Sequence, residues 1–306
     1  MQKTELNVSP YYDDFDTSDN FHRVLFRPSF AVQARELTTL QSILQNQIER
    51  HGRHTFQEGT VVVPGQVSTT NEYYAVKLNA TYASTLASIS DYLSLYVGKI
   101  ITGTTSGVQA RVIGFDSATS TDSSTLYVKY LTTATSTQAA SGTISASTAN
   151  VTTTFVDGET ISADSSITYT ASGASTTTTI SADTGSATLI NSDATATGSS
   201  AGIEAGVYFI RGNFVSVTSQ RIVLDKYTNT PSYRIGLTVT ESLVTSTDDT
   251  SLLDNAAGTS NENAPGAHRL KISLTLAKLA LGSSDDENFV ELMRVKNGVV
   301  QENARN

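Results

Sequence analysis

The sequence predicts a mainly β protein with one prominent N-terminal α-helix, an α+β fold in which a β-sandwich-like or barrel-like body carries an inserted Ser/Thr-rich β domain. Residues 98–205 consist mainly of Ser, Thr, Ala, Gly and Asp, and their Thr, Val and Ile favour strands. Strand-like stretches lie on both sides of this tract, and a single stretch before it has helical periodicity. We therefore divide the chain into 1–97 (arm, helix and β-hairpin), 98–205 (the insertion) and 206–306 (the C-terminal β segment that completes the body).

The helix is predicted for Val32–Arg50, with Gly52 as its C-terminal stop. Its apolar residues recur at steps of three and four and form one stripe: Leu37, Leu40, Leu44 and Ile48. The stripe has two interpretations. It packs against the sheet of its own chain, or it pairs with other copies of the helix and forms an oligomer interface. The repeat is too short for a coiled coil on its own, so the second interpretation requires neighbouring β structure to support the oligomer.

Other elements of the first segment are less regular. Pro10–Phe15 mixes aromatic and acidic residues without a period, which indicates an extended arm that packs on another surface. Residues 56–78 predict a β-hairpin with its turn at Pro64 and Gly65. Residues 86–98 fit either a short helix or a pair of strands.

The Ser/Thr-rich tract is predicted to hold two small subdomains, 98–135 and 136–205. The first contains ARVIGF and TLYVKYL, two strands around a polar loop, and indicates a small β-barrel or sandwich. In the second, Thr-Ile-Ser-Ala recurs at Thr143–Ala146, Thr160–Ala163 and Thr179–Ala182, which indicates stacked or merged hairpins. A flexible low-complexity linker is the alternative, but such linkers favour Gly, Ser and Pro over Thr and Ile.

The last segment returns to ordinary composition. A hairpin is expected around Gly212 and Asn213, followed by strands at 221–224, 233–241, 268–281 and 289–295. Residues 252–266 are rich in Asn, Gly and Pro and predict a long ordered loop. Residues 299–301 are the expected return strand after a turn at Asn297–Gly298. We expect this chain to be the head of a longer polypeptide.

Composition excludes several classes of function. The chain has 306 residues, 16% charged residues and a net charge of −9. Nucleic-acid binding depends on clustered Lys and Arg, so we expect no nucleic-acid partner. Cysteine is absent, which removes disulfides and thiolate metal sites. The N-terminus lacks the apolar core of a signal peptide, and the sequence has no apolar run long enough to span a bilayer, so we expect synthesis in the cytoplasm and no membrane insertion.

Candidate chemical sites are few. His51 and His54 lie near the helix end, and we assign them to the helix dipole rather than to a metal, because no acidic or Cys pattern completes a site. Gly103–Gly107 (GTTSG) has the composition of a phosphate loop but lacks its Lys, so a turn is expected. No Gly-x-Ser-x-Gly elbow separates a strand from a helix. We therefore expect no catalytic residue, no cofactor and no metal, and a protein that is not an enzyme.

Three acidic clusters could in principle bind Ca²⁺: Asp13–Asp14–Asp16, Asp248–Asp249 and Asp285–Asp286–Glu287. None has the alternating acidic spacing, the central Gly and the terminal Glu of a Ca²⁺ loop. Solvated turns explain them more simply.

Three stretches, one near the start of the chain and two near its end, resemble a known family. Residues 9–52 read SPYYDDFDTSDNFHRVLFRPSFAVQARELTTLQSILQNQIERHG and resemble the opening of a family of tailed-phage virion proteins, found in cyanophages and related contractile-tailed phages. The segments LLDNAAGTSNENAPGAHRLKISLTLAKL and NFVELMRVKNGVV resemble the downstream part of the same family. The repetitive middle is outside the resemblance.

The resemblance implies a structural protein of the virion, located in the phage baseplate or anchoring tail fibres, with other tail and baseplate proteins as partners. Fibre connectors of this kind are typically homotrimers, so the resemblance also implies three copies with the helix stripe facing the threefold axis. Two other functions stay open. One is a receptor- or glycan-binding fibre head that contacts sugars through Tyr and Asn. The other is a depolymerase, which would need a carboxylate cleft and a long parallel β-helix.

Overall fold

The computed structural model describes residues 3–63, 65–82, 88–132, 153–284 and 287–303. These residues form two compact units. One comprises Met1–Ser68, Ala201–Ile222 and Ser232–Asn306, and the other comprises Thr69–Ser200 and Val223–Pro231. The unit boundaries thus lie at residues 68/69, 200/201, 222/223 and 231/232, whereas composition places the insertion at 98–205. They differ because the strand that starts at Val67 pairs with a strand of the Ser/Thr-rich tract.

The predicted fold class, mainly β with one helix, is confirmed. The α-helix of the described residues is α1, Ala34–Thr55. Short 3₁₀-helices cover Thr17–Asp19, Ile89–Asp91, Leu93–Tyr96 and Thr250–Leu252. The strands in chain order are β1 Val61–Val63, β2 Val67–Lys77, β3 Ile100–Gly103, β4 Gln109–Asp116, β5 Thr125–Thr132, β6 Thr160–Ala163, β7 Ile167–Thr170, β8 Thr177–Ile180, β9 Gly185–Thr188, β10 Thr195–Ile203, β11 Gly206–Ile210, β12 Asn213–Val217, β13 Gln220–Asp225, β14 Tyr233–Val244, β15 Arg269–Ala280, β16 Phe289–Lys296 and β17 Val299–Asn303.

Helix α1 begins two residues after the predicted start and ends five residues after the predicted end. Gln33 and Glu36 form a capping box at its N-terminus. Gly52 does not stop the helix, contrary to the prediction. A Cβ atom at Gly52 would lie 2.5 Å from the Phe209 ring, so the glycine permits close packing of helix and sheet.

The first unit contains two sheets. One has the order β1-β11-β12 and the other β15-β14-β16-β17. The predicted hairpin of β11 and β12 is confirmed, but its turn lies at Arg211 and Gly212, one residue before the predicted Gly212 and Asn213, because Asn213 pairs with Ile210. The φ angles of the two turn residues are +49° and +81°. Both values suit the tight two-residue turn that joins twisted strands. The predicted strands at 233–241, 268–281 and 289–295 and the return strand after Asn297–Gly298 are also confirmed.

The second unit is built on a sheet with the order β13-β10-β2-β5-β4-β3-β6-β9. The first residues of β2 and β13 and the last residues of β10 are counted in the first unit. Its core consists of fully or almost fully buried apolar residues from the sheet and from the two 3₁₀-helices between β2 and β3, among them Tyr92, Leu93, Tyr96, Ile101, Leu126 and Ile161. The Tyr92 and Tyr96 hydroxyls donate to the Ser186 carbonyl and hydroxyl, both at 2.7 Å. Burial of the rings raises the pKa of both Tyr hydroxyls.

Several local predictions need correction. Strands β1 and β2 do not form a hairpin, since β1 pairs with β11 and β2 with β5, both distant in sequence. Residues 88–97 form 3₁₀-helices, which is closer to the helix alternative. Strands β4 and β5 pair as predicted, but they belong to the large sheet and not to a separate small barrel.

The Thr-Ile-Ser-Ala fragments do not take equivalent positions. The first copy, Thr143–Ala146, lies outside the described residues. Thr160–Ala163 is β6, a buried strand between β3 and β9. Thr179–Ala182 overlaps the end of β8, whose only described partner is β7 in a two-stranded hairpin. The described copies therefore do not form repeated hairpin units, because the strands beside them differ.

Candidate assembly surface

Helix α1 packs on its own chain through one large apolar residue and three small or polar ones. Its buried residues are Thr39, Ile43, Glu49 and Gly52. The hairpin of β11 and β12 covers the C-terminal half of the helix: Gly52 contacts the Phe209 ring, and the Gln45 amide donates to the Gly212 carbonyl at 3.0 Å. The helix is thus anchored by a face other than its apolar stripe.

The predicted interface residues lie on the outer side of this helix. Leu37, Leu44 and Ile48 are 50%, 56% and 48% exposed, and Leu40 is half-buried. With about 100° of rotation per residue, the stripe lies roughly opposite the buried face. The structure therefore brings the four residues together on one side and does not place the stripe against a sheet of its own chain. We call Leu37, Leu40, Leu44 and Ile48 the helix stripe.

The N-terminal half of the buried face holds the beginning of the N-terminal arm. The carboxylate of Asp13, only 8% exposed, accepts hydrogen bonds from the Thr39 and Ser42 hydroxyls. Asp14 accepts from Thr39 at 2.9 Å and lies 3.5 Å from an Arg35 nitrogen. The prediction of an arm that packs on another surface is confirmed. The solvated-turn explanation is wrong for Asp13, because this carboxylate binds the helix.

The next part of the arm carries apolar side chains that sequence reasoning did not single out. Residues 21–32, which we call the apolar arm, form neither helix nor strand. Five of their apolar side chains are exposed: Phe21 64%, Leu25 76%, Phe26 47%, Phe30 64% and Val32 53%. The sequence does carry a signal for this surface, which is the density of Phe and Leu in a segment without periodicity. Contiguous apolar side chains of this kind rarely stay exposed to solvent.

Lys3 and Thr4 are held by a buried carboxylate on β14. Glu241 accepts hydrogen bonds from the Thr4 amide at 2.8 Å, from the Thr4 hydroxyl and from the Lys3 amide. An Arg211 nitrogen lies 2.6 Å from it, and both side chains are at most 8% exposed. Burial alone would raise the pKa of Glu241, but the hydrogen bonds from Thr4, Arg211 and Lys3 outweigh burial and lower it to about 2. The arm therefore starts from a fixed point.

The loop that resembles a phosphate site already holds an anion from its own chain. The buried carboxylate of Glu159 accepts hydrogen bonds from the amides of Thr105 and Ser106 at 3.1 and 2.9 Å. The Ser106 hydroxyl and the Val156 amide also donate to it, at 2.9 and 2.7 Å. The predicted turn is confirmed, and this carboxylate occupies the position that an external anion would need.

The remaining sequence candidates are dispersed. His51 and His54 lie exposed in the last turn of α1. Asp248 and Asp249 are exposed and accept hydrogen bonds from Thr245 and Ser251, as solvated turns do. The third acidic cluster lies largely outside the described residues. Within the described ranges, no group of three or more His, Cys, Asp or Glu side chains could hold a metal ion.

A comparison with family models matches residues 9–89 and 181–306 to the family described as "Domain of unknown function (DUF4815)". The match covers more than half of the chain. The chain belongs to the DUF4815 family. No curated protein and no solved structure matches it.

The DUF4815 match includes the helix stripe, the apolar arm and the strands β14 to β17. It leaves out residues 90–180, most of the Ser/Thr-rich tract. The candidate assembly surface is therefore part of the family's sequence. In the described part of this DUF4815 chain, no helix combines the length and the apolar character needed to cross a bilayer.

Proposed function

We propose that the chain is a non-enzymatic structural protein of a phage virion, located in the tail, where it forms part of the baseplate or anchors tail fibres. The observation that carries the proposal is the exposed helix stripe on a helix whose opposite face is anchored to its own chain. An exposed apolar surface on a fixed element is typical of protein assembly sites. The resemblance of residues 9–52, 252–279 and 288–300 to tailed-phage virion proteins supplies the location.

We further propose that the copies form a homotrimer, with the helix stripe facing the threefold axis. The stripe from Leu37 to Ile48 covers only about 17 Å of helix at ~1.5 Å per residue, so the rest of the first unit must contribute contacts. Large interfaces with an apolar centre are usual in permanent assemblies. Other tail and baseplate proteins are the expected external partners.

The glycan-binding alternative has weaker support. Sugar contact through Tyr needs exposed Tyr rings; Tyr12 is 56% exposed, whereas Tyr92, Tyr96 and Tyr208 are fully buried and Tyr127 is 2% exposed. A depolymerase built on a parallel β-helix has no counterpart among the described strands, whose registered pairings are antiparallel. Binding of the purified chain to a glycan array would favour the fibre-head alternative instead.

Sedimentation velocity tests the assembly. We expect the wild-type chain to sediment as a trimer and both Leu40→Asp and Leu44→Asp to sediment as monomers, because a buried unpaired carboxylate at an interface costs several kcal/mol. Leu131→Asp is the matched control, since Leu131 is 45% exposed on β5, outside the helix. An unchanged mass for both helix variants contradicts the proposed interface.

Electron microscopy tests the location. Gold-labelled antibodies against the purified chain should bind the tail end of phage particles whose genome encodes it, and a cryo-EM map of the intact particle should show its copies there. Labelling of the capsid alone, or of no particle, contradicts the virion proposal whatever the oligomeric state.

A further inference from the structure

We infer that the apolar arm, residues 21–32, packs across the helix stripe of a second copy of the chain. The inference deepens the proposed self-association and rests on it. It names the surface that covers the stripe: the arm of a neighbour, not the same stripe of another copy.

The apolar arm has the properties of a segment that awaits a partner surface. In the described residues, its backbone–backbone hydrogen bonding is limited to the Phe30 amide and the Arg27 carbonyl, 3.4 Å apart. Its side chains are among the most exposed large apolar ones, with Leu25 at 76% and Phe21 and Phe30 at 64%. Yet the arm is held at both ends, by Asp13 on the helix and by the capping box at Gln33. It is a tethered apolar loop.

The exposed areas favour an arm-to-stripe contact over a contact between two stripes. With about 150–200 Å² for a fully exposed large apolar residue, the arm exposes on the order of 550 Å² and the helix stripe on the order of 300 Å². One arm and one stripe therefore offer about 850 Å² in total to each contact, whereas two facing stripes offer about 600 Å². A standard interface buries about 1,600 Å² in total, so the rest of the first unit must contribute the remainder.

The apolar arm and the helix stripe are neighbours in the sequence but lie on different sides of the helix. Phe21 and His22 line a shallow groove with Ile43, Gln47 and Arg50, beside the face that binds Asp13. The arm therefore leaves the helix on a side other than the stripe, and in a single chain both surfaces stay exposed. When each copy contributes its arm to the next copy, both surfaces are covered.

Such an arm-to-helix contact is heterologous, because it joins two different surfaces. Heterologous contacts close into a ring when the rotation between copies divides a full turn evenly, and three copies related by a threefold axis satisfy this condition. The arrangement keeps the stripes near the axis and gives each one a cover. It thus agrees with the proposed trimer.

Cysteine cross-linking tests the inference directly, because the native chain has no cysteine. We would co-express full-length Leu25→Cys and Leu44→Cys chains with different affinity tags and oxidise the purified assembly. We expect a disulfide between the two differently tagged chains, several-fold more abundant than either same-tag product. Phe30→Cys with Leu37→Cys is a second pair for a register in which the first pair lies too far apart to bond. Leu131→Cys, paired with each helix variant, is the control for random collisions.

Each outcome decides between alternatives. Cross-links between two Leu44→Cys or two Leu37→Cys chains would show stripe-to-stripe contact; the trimer proposal would then stand and the arm inference would be overturned. The inference is also overturned if light scattering shows an oligomer but neither arm-to-helix pair gives more cross-linked product than the Leu131→Cys control. A monomeric wild-type chain overturns both the inference and the proposed trimer, while the gold-labelling experiment still decides the virion location.

Discussion

Glu241 offers the most specific test of how the first unit is held together, and the change is Glu241→Gln. This carboxylate binds Arg211 at 2.6 Å and accepts hydrogen bonds from Lys3 and Thr4, and its side chain is 5% exposed. Gln keeps the size of the side chain but removes the charge. It leaves the Arg211 guanidinium buried without its counter-ion, which is more costly than losing an ordinary hydrogen bond.

The pKa gives the expected magnitude. The folded-state pKa of about 2 lies below the ordinary value of 4.5. With about 1.4 kcal/mol per pKa unit, ionised Glu241 stabilises the fold by roughly 3 kcal/mol at pH 7. The folded pKa is depressed, so this stabilisation is fully present above pH 4.5 and is lost as the pH falls through 2. At pH 3 roughly 1.5 kcal/mol should remain.

Urea unfolding followed by circular dichroism measures this effect. The difference in unfolding free energy between wild type and Glu241→Gln should be about 3 kcal/mol at pH 7 and should narrow by about half at pH 3. Limited proteolysis should also cleave the N-terminal residues faster in the variant, because Gln offers Lys3 and Thr4 one uncharged acceptor oxygen in place of two charged ones. Glu72→Gln, at an exposed carboxylate, is the control and should change little. A difference below about 1 kcal/mol at pH 7, or one independent of pH, refutes the reasoning.

Two further predictions concern internal packing. Glu159→Gln should destabilise the second unit by about 1–3 kcal/mol, since an amide cannot accept all four hydrogen bonds of the carboxylate. Tyrosine fluorescence during urea unfolding measures this loss of stability. A loss no larger than that of Glu72→Gln would contradict the prediction. Gly236→Ala should lower the melting temperature, because its Cβ would lie 2.1 Å from the Val290 carbonyl oxygen. Gly282→Ala is the control and should not lower it, because a Cβ atom at Gly282 has open space. Equal melting temperatures for the two variants would contradict the prediction.

Local signals in the sequence were reliable where neighbouring residues decide the structure. The helix periodicity predicted α1, and Gly212 marked the turn between β11 and β12. The alternating pattern of residues 268–281 predicted β15. In these segments the hydrogen-bonding partner is a few residues away, or the apolar period belongs to the segment itself.

The sequence did not indicate which distant segments of the chain contact one another. The apolar run at Val61–Val63 shows that a strand forms there, but not that it pairs with β11. Gly52 has the position of a helix stop, and only the Phe209 ring explains why a glycine stands there inside the helix. The composition of Gly103–Gly107 does not reveal that Glu159, more than fifty residues later, fills the loop. Each of these contacts joins residues that are distant in the chain.

The sequence by itself determined the mainly β class, the single long helix and the identity of the helix stripe, because residue propensities and periodicity are local properties. The tertiary structure decided which face of that helix its own chain uses. Asp13 and Phe209 occupy the two halves of its buried face, and the stripe from Leu37 to Ile48 stays exposed together with the apolar arm. Periodicity identifies an apolar face, but only the positions of distant segments determine whether that face is covered.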